Sequence, residues 1–221
     1  MENRLARGID YCMKQLPKTF RRVISTAALP LLMLSVSSCD SLGNRGGQYS
    51  INYDPPAHRP QNPRNVRVKV STSKQRIYVV EGNRVLMATP CSVGDAQHPT
   101  PPGAHTIYAK TFNRRSHSYG EYPMPNWCEF APAYGFHWGF VKPYPCTHGC
   151  IRMPKMAAAK FFNLVSIGTP VSVASSQPED ATIGGSLPVL DDTSLANPPN
   201  SYMMSNQVFE DAKYKGAIYV D

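Results

Sequence analysis

The middle of this chain is short of acid. Residues 39–175 hold fifteen Lys and Arg against six Asp and Glu, whereas residues 176–221 hold two against seven. A basic middle suits an anionic partner such as a wall polymer or a membrane surface. Nucleic acid is a poor candidate, because the basic residues are scattered and no nucleic-acid-binding motif is present. A long apolar run is also missing. The stretch from Val23 to Val36 is broken by small residues and Pro30, and is too short to cross a bilayer comfortably. No internal repeat is found, and no Cys/His spacing of a usual zinc site. Cys146-Thr147-His148-Gly149-Cys150 would crowd its ligands onto one strand. Helical periodicity is scarce too. With 21 prolines and 15 glycines, the chain reads as loop-rich and mainly β rather than as a helical bundle.

What is present begins with an export signal. Lys18, Arg21 and Arg22 precede the apolar stretch, and Val36-Ser37-Ser38-Cys39 ends it. Small residues directly before a cysteine resemble the bacterial lipobox. The resemblance implies removal of residues 1–38 and lipid on Cys39. The expected location is the bacterial cell envelope, with the protein lipid-anchored to a membrane and facing the periplasm. Stable anchoring needs two chains or signals, at ~0.8 kcal/mol per buried methylene, which a multiply acylated Cys39 would satisfy. Residues 39–65, rich in Gly, Asn, Pro, Ser and Arg, read as a flexible tether.

The folded domain is expected over 66–175. Val66 to Val70 alternates, Arg76 to Val80 and Arg84 to Thr89 flank the turn Glu81-Gly82-Asn83, and His105 to Ala109 and Pro170 to Ala174 add strands. Pro154 to Val165 is the one good helix, with Met156, Phe161, Leu164 and Val165 on roughly one face. Residues 111–135 are aromatic and turn-rich and take no firm assignment. Residues 176–221 read as a loose, acidic, polar tail.

Chemistry concentrates in Thr147-His148-Gly149-Cys150-Ile151-Arg152, with His137 upstream. A histidine and a cysteine this close suggest an activated thiolate, since a neighbouring imidazolium or backbone amides can lower a thiol's ordinary value of about 8.5 by several units. The side chains of residues two apart on an extended segment diverge, so His137 is the better base and His148 an outer neighbour. No acid lies near His137 in sequence; the Trp138 carbonyl is its expected orienter. The amides of Gly149 and Cys150 are expected to form an oxyanion hole. Cys128 and Cys146 form a candidate disulfide; the alternative is that both, with Cys91, are plain thiols.

This constellation resembles the L,D-transpeptidase catalytic domain, also called YkuD: an upstream His, a spacer, then Ser/Thr-His-Gly-Cys, an apolar residue and Asn or Arg. Lys74-Gln75-Arg76-Ile77-Tyr78-Val79, Pro90-Cys91-Ser92-Val93-Gly94 and Thr100-Pro101-Pro102-Gly103 resemble further family segments, in the family's order. The resemblance covers about Val66 to Ala174. It implies a β-sandwich with one principal α-helix after the catalytic cysteine. The implied reaction is acyl transfer on peptidoglycan stem peptides through a Cys150 thioester, with His137 moving the proton and no metal or organic cofactor. It also implies acylation of Cys150 by carbapenems. Arg152 is expected to pair with a stem carboxylate, beside Thr147 and His148. The alternatives are an L,D-carboxypeptidase using water as acceptor and a non-catalytic wall-binding lipoprotein.

Overall fold

The structure, a computed structural model, describes residues 48–118 and 120–221. All of them fall in one compact unit, Asn44–Asp221. The expected signal over 1–38 and the lipidation site Cys39 lie outside the described residues.

Val66, Val68 and Val70 alternate with polar residues, and this period turns them to one side of β1 (Val66–Ser71), where they are almost fully buried. β2 (Arg76–Glu81) and β3 (Arg84–Pro90) form the expected hairpin, with Gly82 at φ +58 supplying its turn. β4 (Gly103–Thr106) and β9 (Pro170–Ala174) complete a five-stranded sheet ordered β3-β2-β1-β9-β4, in which β1 and β9 run parallel. The second sheet is ordered β5-β6-β7-β8, from β5 (Ala109–Arg115), β6 (Pro123–Ala131), β7 (Tyr134–Trp138) and β8 (Ile151–Met153). Helix α1 (Lys155–Leu164) follows β8 and packs on β6 and β7. One apolar cluster draws on both sheets and the helix, from Val68, Ile77 and Leu86 through Phe130 and Phe136 to Phe161 and Leu164. Each such side chain contributes roughly 1.5–3 kcal/mol when fully buried. The molecule is therefore mainly β, with two sheets and one principal helix, as the resemblance implied.

Within the expected domain, three segments differ from the sequence reading. The chain does not run straight from His105 to Ala109: it leaves the first sheet after Thr106 and enters the second at Ala109. At the crossing, Ile107 donates to the Thr169 carbonyl and Tyr108 to the Glu129 carbonyl. Residues 111–135, which took no firm assignment, supply all of β6 and parts of β5 and β7. β6 shows no alternation because nearly all of its residues are buried, and Pro123 and Pro125 disguise it further. The expected helix face also changes. Ala157, Ala158, Ala159 and Lys160 are buried while Met156 is only partly so.

The described part of the expected tether, residues 48–65, is packed rather than loose. Ala57 is fully buried, and the amides of Gln61 and Asn62 donate to the Glu81 carboxylate. Buried Lys160 holds this segment, donating to the Pro55 carbonyl at 2.8 Å and pairing with Asp54 at 2.6 Å.

The expected loose tail is packed as well. Residues 178–187 cover the outer face of the first sheet: the Tyr78 hydroxyl donates to Asp180 at 2.7 Å, and Leu187 packs beside Tyr78, Val80 and Ala88. Buried Asp192 accepts from the Ser50 amide and the Val141 amide, each at 2.8 Å. Further on lie two short helices, α2 (Asn200–Met204) and α3 (Gln207–Asp211), the second burying Val208 and Phe209. Arg115, at the end of β5, ties them to the second sheet. Its guanidinium donates to the carbonyls of Glu121, Met203, Met204 and Ser205 and lies over the Phe209 ring.

Candidate active site

Twelve residues separate His137 from Cys150 in sequence. The fold removes that distance by pairing β7 with β8 in parallel, with Phe136 opposite Ile151 and His137 opposite Arg152. Cys150 stands immediately before β8. His137 and Cys150 both line one cavity of about 410 Å³, together with Thr147, His148 and Arg152.

His137 is 3% exposed. Its Nδ1 lies 2.7 Å from the Trp138 carbonyl oxygen. A carbonyl only accepts, so this contact assigns the proton to Nδ1 and leaves the lone pair on Nε2. The orienter is the one expected. Burial lowers the His137 pKa to about 4, helped by the Arg152 guanidinium; the Trp138 carbonyl acts in the other direction. Burial likewise pushes the Cys150 thiol above its ordinary value. The Gly135 amide and Arg152 pull it back only in part, and Glu129 adds to the rise. The sequence suggested an activated thiolate, whereas both shifts run toward the uncharged forms. A thiol beside a neutral imidazole is the form these shifts favour, because the site desolvates both charged forms.

Two threonine hydroxyls hold the cysteine loop. Thr147 Oγ1 accepts from the Gly149 amide at 3.2 Å and donates to the Cys150 carbonyl at 2.6 Å. This takes up the Gly149 amide that was expected to serve an oxyanion, so Gly149 acts through its conformation instead. Its φ is +99, and a Cβ there would fall 2.3 Å from the Tyr134 ring. Thr100 Oγ1, buried, accepts from the Gly94 amide at 2.9 Å and donates to the Gly149 carbonyl at 3.0 Å. Thr100→Val keeps the shape and removes both bonds. It should lower the unfolding free energy by about 1–3 kcal/mol, measured by urea titration, because one buried and one half-buried backbone group lose their partner.

His148 meets His98 edge to face at 4.7 Å, and His98 Nδ1 lies 3.1 Å from Asp95. Cys128 and Cys146 are not joined, and the described cysteines are all free. Cys128 sits in the main apolar cluster on β6, whereas Cys146 is a half-buried loop residue whose amide donates to Val93. Burial raises the Cys128 thiol to about 12 and the Cys91 thiol further still. Among the described residues no three His, Cys, Asp or Glu side chains group as metal ligands.

Some cavity residues had no signal in the sequence. Ala133, at φ +66 in the β6–β7 turn, offers its carbonyl 3.8 Å from Cys150 Sγ. Arg114 and the loop residues Ser116, His117, Ser118 and Tyr122 line another part of the wall, His117 among them although its setting reads as plain loop. Only the pairing of β5 with β6 brings them there.

Residues 65–173 match the family described as YkuD, L,D-transpeptidase catalytic domain. That segment, just under half of the chain, is what resembles the family. A segment similar to an L,D-transpeptidase catalytic domain thus sits between the packed flanking segments. No curated protein matches the sequence. Among solved structures, an L,D-transpeptidase from Stackebrandtia nassauensis shares 25% identity at a TM-score of 0.48, covering 55% of this chain and 60% of that one. One from Mycobacterium tuberculosis H37Rv shares 23% at 0.46, covering 50% and 57%. The C442S mutant of an Enterococcus faecium L,D-transpeptidase shares 22% at 0.45, covering 50% of each chain. The chain thus covers less than two thirds of each of these structures.

Proposed function

We propose that the protein is a cysteine-dependent L,D-transpeptidase acting on peptidoglycan stem peptides. One observation carries the reading: within the YkuD segment, His137 and Cys150 line one cavity, and the Trp138 carbonyl holds His137 with Nε2 as its basic nitrogen. Cys150 Sγ attacks the carbonyl carbon of the third, L-centred residue while His137 Nε2 takes the thiol proton. The tetrahedral intermediate collapses with cleavage of the bond to the fourth, D residue. His137 returns its proton to the leaving amine, and a thioester remains. The side-chain amine of a second stem, or an amine of a wall-attached protein, then displaces the thiol. Water in that role would make the protein an L,D-carboxypeptidase. The amide of Cys150 is the oxyanion donor we assign in place of Gly149. Arg152 offers its guanidinium to a stem carboxylate.

Removal of residues 1–38 and lipid on Cys39 would place this chemistry on a membrane facing the wall; the lipobox-like Val36-Ser37-Ser38-Cys39 supports that reading. The deciding experiment incubates purified protein with tetrapeptide muropeptides and follows the products by mass spectrometry. New dimers together with free D-alanine are expected. Shortened tripeptides alone would replace transpeptidation by hydrolysis, and unchanged muropeptides would overturn the reading.

A further inference from the structure

Two guanidiniums line the cavity beside Cys150. Arg114 is carried by β5 and Arg152 by β8. The Nε of each is shielded from solvent and has no hydrogen-bond partner. Among the described residues neither arginine belongs to an ion pair. No aspartate or glutamate lines the cavity. Glu129 is the nearby acid, and its carboxylate already accepts from the Tyr108 hydroxyl, the Trp127 indole N–H and the Ala133 amide.

The two arginines are held by their stems and faces rather than by their charges. Arg114 Cζ lies 5.6 Å from the Trp127 ring centroid. The Arg152 stem packs against Gly139, where an added Cβ would come within 2.9 Å of Cδ. Buried donors without partners are costly and rare, and the planar fork of a guanidinium fits a carboxylate in a bidentate manner. Positioned cations, uncommitted donors and a wall without acid together describe an anion site that the protein's own side chains do not fill.

We infer that Arg114 is a further substrate-binding residue, which with Arg152 recognises a carboxylate of the peptide beside the reacting carbonyl. The inference rests on the reading of the cavity as a stem-peptide site. Two carboxylates of a stem could fill it: the terminal one on the leaving D residue, or one further inside the peptide. The chemistry is the same, and amidation separates them.

The test compares the parent protein with Arg114→Gln and Arg114→Lys on three peptides. These are the tetrapeptide stem, its terminal amide, and the analogue amidated at its internal carboxylate. D-alanine or D-alaninamide release gives kcat and KM, and calorimetry gives Kd for the same ligands. Arg114→Gln should raise KM for the unmodified peptide roughly ten- to a hundredfold, the range for a hydrogen bond to a charged group, with a smaller change in kcat. Amidating the recognised carboxylate should cost the parent the same factor and cost Arg114→Gln nothing further. Arg114→Lys, which keeps the charge and loses the fork, should fall between. An unchanged KM, or an equal loss on all three peptides, would overturn the inference while leaving the proposed reaction intact. If the parent releases nothing from any peptide, the proposed reaction fails, and the calorimetric comparison still decides whether Arg114 binds a carboxylate.

Discussion

A Cys150→Ala protein should fold as the parent does, gain no mass on exposure to a carbapenem, and leave tetrapeptide muropeptides unchanged. Loss to the limit of detection is expected because no other described thiol can substitute. Cys91 and Cys128 are buried with their thiols pushed far up. Cys146 is half-buried and is not part of the cavity wall. Cys146→Ala should therefore keep most of the activity, and the pair of variants separates the nucleophile from its neighbour. Intact-protein mass after carbapenem exposure reads the first step without any acceptor, and chromatography of the muropeptides reads the whole reaction. Mass uptake by Cys150→Ala would place the nucleophile elsewhere.

The second large effect belongs to His137. His137→Gln should lower the acylation rate at pH 7 by roughly 10²- to 10⁴-fold, the usual contribution of a positioned general base. Its pH profile should change as well as its height. In the parent the base is neutral down to about pH 4, so the acid limb should lie well below the ordinary histidine range. Without the imidazole the thiol must ionise unaided. The residual rate should then climb about tenfold per pH unit through the neutral range, because Cys150 stays protonated there. His148→Ala should show neither change. If His148→Ala abolished the reaction and His137→Gln spared it, the assignment of the base would be wrong.

The same burial carries a stability signature. His137 is depressed in the folded state relative to about 6.5 in the unfolded chain. Its contribution is complete above pH 6.5 and is lost as the pH falls toward 4, where the folded protein also takes up the proton. The contribution is about 3 kcal/mol, from the shift converted at 1.36 kcal/mol per pH unit. Urea titrations across that window should show the loss in the parent and a flatter curve in His137→Gln.

The first three strands were legible because β1 alternates and β2 and β3 share a recognisable turn. Cys150, His137 and the Trp138 carbonyl, the proposed nucleophile, base and orienter, stood out because they lie within a short stretch of distinctive residue types. β6 was not: with nearly every residue buried and two prolines, it gives no period-2 pattern. The C-terminal segment misled for the opposite reason. Its apolar residues, Leu190, Val208, Phe209 and Ala212, are too sparse to form a pattern. Much of its attachment runs through side-chain bonds such as those of Asp192 and Arg115 to distant backbone groups, which leave no mark in local sequence. The upward shift of the Cys150 thiol was not legible, because neighbouring residue types say nothing of solvent access, the largest cause of that shift.

The hold of Arg115 on α2 bears on how the protein can be dissected. Four carbonyls, three of them from residues 203–205, receive one guanidinium at the root of the loop that borders the cavity. A fragment cut to the family boundaries, 65–173, would keep Cys150 and His137 but strip the brace from that loop. The smallest piece worth expressing for crystallography or inhibitor screening therefore runs from about residue 48 to the C-terminus. Trimming to the recognised segment would yield a protein in which Cys150 is present and the cavity wall beside it is unsupported.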